Sequence, residues 1–353
     1  TGTKYSSDKV QITKWALDVT NKKSFPVHMP AAAQISKAIR IGVKLRCPKQ
    51  GDAFMLNTKA FRRQRNVCGY LMSIPALIGV GVLIVYPIVF SFILSFTGIR
   101  ASVVNVRWND FGNYIWLFSE SSGDFWNGLW VAFEFSVLST ILQTVLGFFL
   151  AYLLYSMGRG MQSVYRVLLY IPCVLPSAVV AVMWNFIYSY DVGLLFKLWE
   201  LFGWEQVLWL NDPDVVLFSI IIANTWRFVG ITMVLYFVNM NAVSKDVLEG
   251  ATLDGANRWM ILWRFIFPLT ISSTKMNLVL SFVGGMKSFD MFFMLEGGSM
   301  PQTRPVGLII FTYAFKQSRM GWAIVMSFML SVILGAFTVI TNKLMAKVEK
   351  SYE

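Results

Sequence analysis

Six stretches of this 353-residue chain are apolar for long enough to cross a bilayer, which takes about 20 residues of α-helix. They cover roughly 69–96, 128–156, 166–189, 215–241, 271–295 and 322–345. Their apolar residues are continuous, without the alternation of a barrel strand. Composition bears on the one rival, a soluble protein with a large core. Only 14% of the residues are charged and 56% are hydrophobic, whereas soluble domains carry about 25% charged residues. The charges also crowd between the apolar runs, as expected of a chain that alternates between hydrocarbon and water. The sequence therefore predicts an all-α polytopic membrane protein with six transmembrane helices.

Charge also predicts the orientation. Residues 1–68 hold 14 Lys and Arg against Asp8, Asp18 and Asp52, which accounts for nearly all of the net charge of +12. Placing this segment in the cytoplasm puts 22 Lys and Arg inside and 6 outside, the bias that sets topology. Both termini are then cytoplasmic, and the outer loops carry Trp108, Trp116, Trp126, Trp204 and Trp209, suited to the interfacial belt. The expected divisions are a basic cytoplasmic segment 1–68, a six-helix domain 69–345 and a short tail 346–353. Within 1–68, residues 36–46 alternate like a strand, while 31–39 suit the start of an interfacial helix; a disordered basic tail is the alternative. The segment has no apolar core of signal-peptide length. A basic stretch next to a membrane is attracted to anionic lipid, and no nucleic-acid motif accompanies it.

Reactive residues are scarce. Cys47, Cys68 and Cys173 form no CxxC pair, and His28 is the one histidine, so neither a metal cluster nor a nucleophile–base pair is expected. No Walker A loop is present. A transport subunit, not an enzyme, is the reading that remains, with no cofactor of its own. In the sixth run, Ser327, Ser331 and Gly335 recur at helical spacing, a pattern that lets helices approach closely.

The most informative stretch, 242–270, lies between the fourth and fifth runs. Ser244 is a plausible N-cap before Lys245 and Asp246. Val247, Leu248, Ala251 and Leu253 supply apolar contacts, and Gly255 permits a turn that a larger residue resists. A second helix then runs to Phe267, and Pro268 marks the start of the fifth run. The expected object is a rigid helix–turn–helix knob outside the membrane.

This segment resembles the EAA loop of binding-protein-dependent ABC importer permeases, matching it at Glu249, Ala251, Asp254, Gly255, Ala256 and Pro268. It departs at Gly250, Phe265 and Phe267, and Gly250 loosens the first helix by about 1 kcal/mol. The resemblance extends over 70–345. Ile74-Pro75-Ala76-Leu77, Tyr86-Pro87, Tyr170-Ile171-Pro172, Asn224-Thr225-Trp226 and Phe289-Asp290 are similar to the carbohydrate, maltose-type branch. It implies residence in the bacterial cytoplasmic (inner) membrane. It also implies a second permease subunit, an ATPase dimer that binds ATP and Mg, and an extracytoplasmic solute-binding protein as partners. The loop would dock in a cleft of the ATPase. The solute would meet Cys173 and Ser177 on the third helix, Asn224, Arg227 and Phe228 on the fourth, and Ser281, Gly285 and Ser288 on the fifth.

Several of these residues have a plainer reading. Trp184 and Trp226 offer faces to sugar rings or simply pack, and Cys173 and Gly285 set helix spacing or line the path. Arg227 is the sharpest departure, because the maltose-type position is apolar. It attracts an anionic solute such as a uronate oligosaccharide, or it pairs with Asp290 or Glu134. Lys287 and Asp290, three apart, are expected to pair on one helix, and Lys275 to snorkel. A neutral oligosaccharide, a glycerol-phosphate-type solute and a self-contained secondary transporter remain as alternatives.

Overall fold

A computed structural model describes residues 59–99, 107–119, 122–295, 300 and 303–349. The readings made for 31–39 and 36–46 lie outside them. The chain divides into two units between Val85 and Tyr86. In the first, α1 (Lys59–Val80) already begins in the basic stretch, ahead of the boundary expected at residue 69, and is followed by a wider turn over Gly81–Val85.

In the second unit α2 (Tyr86–Leu94) leads to α3 (Gly112–Leu117). The long helices are α4 (Gly123–Tyr155), α8 (Val216–Ala242) and α14 (Met320–Glu349). Between α4 and α8 lie α5 (Arg159–Val174), α6 (Ser177–Tyr188) and α7 (Leu194–Phe202). After α8 come α9 (Lys245–Leu253), α10 (Arg258–Leu269), α11 (Ile271–Met286), α12 (Asp290–Leu295) and α13 (Val306–Lys316). Among the described residues the only pairing of extended chain is an isolated antiparallel bridge between Thr97 and Trp108.

Four helical stretches are long and apolar enough to span a membrane: Gly69–Leu94, Gly123–Tyr155, Val216–Ala242 and Met320–Lys347. Two bent pairs raise the number to six if each pair is one span. This corrects two expectations. The third run is not one straight helix, because α5 and α6 meet at 98°. Pro176 drives Leu175 into extended backbone (φ −67°, ψ 137°), the conformation forced on a residue before proline. The run also starts earlier than residue 166, since α5 begins at Arg159. The fifth run ends at Met286, and α12 restarts at Asp290 after a break. Lys287 and Asp290 therefore do not share a helix, and Asp290 turns to a different cation.

The helix α8 is the centre of the packing. Gly230 brings it so near α5 that a Cβ there would lie 2.1 Å from the Leu169 carbonyl oxygen. Polar side chains stitch α4, α8 and α11 together. Asn277, 1% exposed, donates from Nδ2 to Thr144 Oγ1 (2.8 Å) and accepts at Oδ1 from Thr232 (2.8 Å) and Ser281 (3.1 Å). One helical turn earlier on α11, Asn239 donates to Ser273, and the Tyr236 hydroxyl meets Thr274 Oγ1 at 2.7 Å. A polar group buried in hydrocarbon without a partner is costly, so these pairs fix the register of three helices.

Candidate functional site

The stretch 242–270 folds as two helices joined by a turn. At the end of α9 the N–H of Ala256 donates to the Ala251 carbonyl (2.9 Å) and that of Gly255 to the Thr252 carbonyl (3.1 Å). That pair of bonds is a Schellman closure, and it needs a left-handed residue, supplied by Gly255 at φ +85°. The Asp-Gly-Ala signal in the sequence is thus the helix stop. The start signals differ from expectation. Ser244 occupies the N-cap position of α9 but its hydroxyl makes no capping bond. The side-chain cap is Asn257, whose Oδ1 accepts from Met260 N–H at 2.7 Å and opens α10. An Asn immediately after a helix stop was the available clue.

This elbow is fixed on one side and open on the other. Ala251 is buried, and Leu248, Leu262 and Ile266 pack with Phe148, Leu154 and Met240 at the ends of α4 and α8. Glu249, Asp254 and Gly255 are exposed, Ala256 and Pro268 half-buried. Leu253 is 89% exposed, and Val247 and Trp259 are exposed as well. Apolar side chains on a rigid knob, beside an exposed carboxylate, make a surface suited to a protein partner.

Deeper in the helices, Arg227 holds two breaks together. Its Nη1 lies 3.4 Å from Asp290 Oδ2, at the start of α12, and its Nη2 donates to the Leu175 carbonyl (3.3 Å) at the α5–α6 bend. The guanidinium also sits 4.9 Å from the Phe228 ring centroid. Both polar distances exceed the 2.7–2.9 Å of a tight charge-assisted bond, and Nε is buried without a partner. The side chain of Arg227 is 13% exposed and that of Asp290 39%. Of the two carboxylates considered for Arg227, the structure selects Asp290 rather than Glu134.

The eight pathway candidates separate into two groups. Cys173 and Ser177 flank the α5–α6 bend, and Ser288 lies in the α11–α12 break. With Arg227 and Phe228 they gather where helices are interrupted, and Cys173 is within electrostatic reach of the guanidinium. Asn224 is buried on α8 one turn before Arg227. Ser281 and Gly285 also take part in helix packing. The Ser281 hydroxyl donates to Asn277 Oδ1 at 3.1 Å, and a Cβ on Gly285 would meet Ser136 at 2.7 Å. Trp184 and Trp226 pack edge-on at 5.9 Å, and Trp184 is buried. Beside Gly335 nothing lies within 4 Å, so the small-residue face of α14 is open in this chain. No group of three or more His, Cys, Asp or Glu among the described residues is placed to hold a metal. Asn277, which sequence reasoning missed, is the polar hub of the interior.

The family profile described as the inner-membrane component of binding-protein-dependent transport systems matches residues 143–353, well over half of the chain. The ABC transporter permease YesP of Bacillus subtilis is 29% identical over 288 residues, covering 80% of this chain and 91% of that protein. The trehalose/maltose transport permease MalF of Thermococcus litoralis is 28% identical over 276 residues, covering 78% and 92%. Among solved structures, a chain of a bacterial ABC transporter that imports the acidic polysaccharide alginate superimposes with a TM-score of 0.69. It is 18% identical and covers 80% of this chain and 96% of its own, a likeness of fold.

Proposed function

We propose that this chain, which belongs to the family of binding-protein-dependent transport inner-membrane components, forms half of the translocation pathway of an ATP-driven oligosaccharide importer. Family membership makes it a multi-pass inner-membrane transport subunit. The further reading rests on one observation, the glycine-hinged elbow between α8 and α11, anchored to the spans and exposing Glu249. In this reading Glu249, Ala251, Asp254, Gly255, Ala256 and Pro268 form the handle that a separate ATPase dimer grips from the cytoplasm. ATP and Mg belong to that partner. Closure of the dimer moves the elbows of this chain and of a second permease subunit, and the cavity between them alternates between the two faces of the membrane. The nucleotide acts through its different affinity for the two states. An extracytoplasmic binding protein delivers the solute.

Oligosaccharide as the solute is supported by the maltose-type relative. A uronate-type, acidic oligosaccharide is the narrower reading, favoured by the loosely held guanidinium of Arg227 with its unpartnered Nε among the helix breaks. Helix interruptions at bilayer depth are where transporters hold their cargo. The test is ATP turnover of the assembled complex against neutral and acidic oligosaccharides, each with its binding protein. Stimulation by an acidic saccharide that Arg227→Leu abolishes supports the narrower reading. Unchanged affinity and rate for the native solute in Arg227→Leu rejects it and leaves a neutral oligosaccharide importer. Transport without any ATPase would favour a self-contained secondary transporter instead.

A further inference from the structure

A cavity separate from Arg227 has no part in the pathway above. It has a volume of about 330 Å³ and opens between α6, the 203–215 connection and the end of α12. This is the Val216 end of α8, about 40 Å from the elbow at its other end, for a helix of 27 residues. Ligand pockets run from about 300 to 1,000 Å³, so the space suits the end of a chain of small rings and not a long polymer.

Its lining has a consistent chemistry. Every lining residue is uncharged: the polar groups are Asn185, Ser189, Tyr190 and Asn211, beside Tyr188 and Trp209. The Asn185 amide nitrogen is committed to the carbonyls of Ala181 (3.1 Å) and Met294 (3.3 Å), which leaves its Oδ1 to accept from a ligand hydroxyl. The aromatic wall is rigid. Trp209 stacks on Tyr188 at 5.7 Å and 26°, and Trp199 braces it edge-on at 5.3 Å. The Tyr188 hydroxyl is used internally, on the Ser219 carbonyl at 2.8 Å. Tyr190 is 48% exposed and Asn211 is exposed, so amide and phenol groups meet the opening. An exposed tyrosine ring beside amide acceptors, with no charge in the lining, matches a polyhydroxylated ring and not an ionic lipid headgroup.

We propose that this cavity is a reception site for the end of a saccharide on the membrane face opposite the elbow, recognising hydroxyls without regard to charge. The proposal rests on the importer reading for the side of the membrane it serves. It adds a division of labour, in which an outer site accepts saccharides broadly and Arg227 selects among them deeper in.

The test is a saturation-transfer NMR titration of the full chain, in its purified complex in lipid nanodiscs, with maltotetraose and with trigalacturonate. Both are expected to bind with similar dissociation constants. Asn185→Leu is expected to weaken both by about five- to tenfold, the loss of one hydrogen bond. Tyr190→Ala, a half-exposed position that does not threaten the fold, should weaken both several-fold. Binding of neither probe overturns the proposal. So does binding of trigalacturonate alone, or wild-type binding by both cavity variants. Failure of the importer reading is recognised separately. A complex that lacks an ATPase, yet still binds both probes, defeats that reading and leaves the cavity's chemistry standing.

Discussion

At one end of α8 the chain builds its elbow from backbone signals between neighbours: a left-handed Gly255, a carbonyl pair that closes α9, and Asn257 opening α10. In the middle of the same helix, Arg227 gathers groups 52 and 63 residues away in sequence. The elbow is rigid through local geometry and open to a partner. The Arg227 clasp is held by long-range polar contacts of imperfect length and is only partly buried. The difference teaches where each part can yield. An elbow variant alters how motion is transmitted while the spans stay folded, whereas a clasp variant alters the spans themselves.

The largest effect expected of that contrast is at the clasp. Asp290→Leu strands the less exposed partner, Arg227, and is expected to cost on the order of 2–3 kcal/mol, less than breaking a fully buried ion pair. Arg227→Leu strands only the more exposed Asp290 and should cost less, with the double variant recovering part of the loss. Unfolding of the reconstituted protein in a detergent titration measures all three; equal costs for the two single variants would break the account of the clasp. Next is Asn277→Leu, which removes three interhelical or intrahelical bonds. At about 0.6 kcal/mol for each in a membrane, the loss is roughly 2 kcal/mol by the same titration.

Effects at the elbow are smaller in stability and larger in coupling. Gly255→Ala forces a side chain into left-handed backbone, a local cost of about 1–2 kcal/mol. Transport per ATP hydrolysed should fall in proteoliposomes, while the unfolding midpoint of the spans stays at the wild-type value. Asn257→Ala should lose about 1 kcal/mol of helix capping, seen as faster amide exchange confined to the start of α10. A global change in exchange would remove the distinction between the two regions.

The same contrast explains what the sequence disclosed. The elbow's turn was legible because Gly255 and its neighbours act within one another's reach, and the apolar runs were legible because the bilayer sets their length. Ser244 does occupy the N-cap position, but a residue type marks such a position without ensuring the bond. The bend at Leu175 was readable from Pro176 and was overlooked beneath a continuous apolar run. Asn277 was not legible at all. An amide in a membrane helix has meaning only through Thr144 and Thr232, and nothing local names those partners. Ser281 and Gly285 were assigned to the pathway by resemblance, and only their neighbours Asn277 and Ser136 reveal their packing.

The central claim is that the exposed elbow is gripped by a nucleotide-hydrolysing partner. The direct measurement is co-purification from native membranes, with ATP hydrolysis assayed in the recovered complex. The wild-type chain is expected to bring down an ATPase, and Glu249→Lys to lose it while the chain itself remains folded in the membrane. An ATPase retained at wild-type levels by Glu249→Lys, or none recovered with the wild-type chain, would contradict the account.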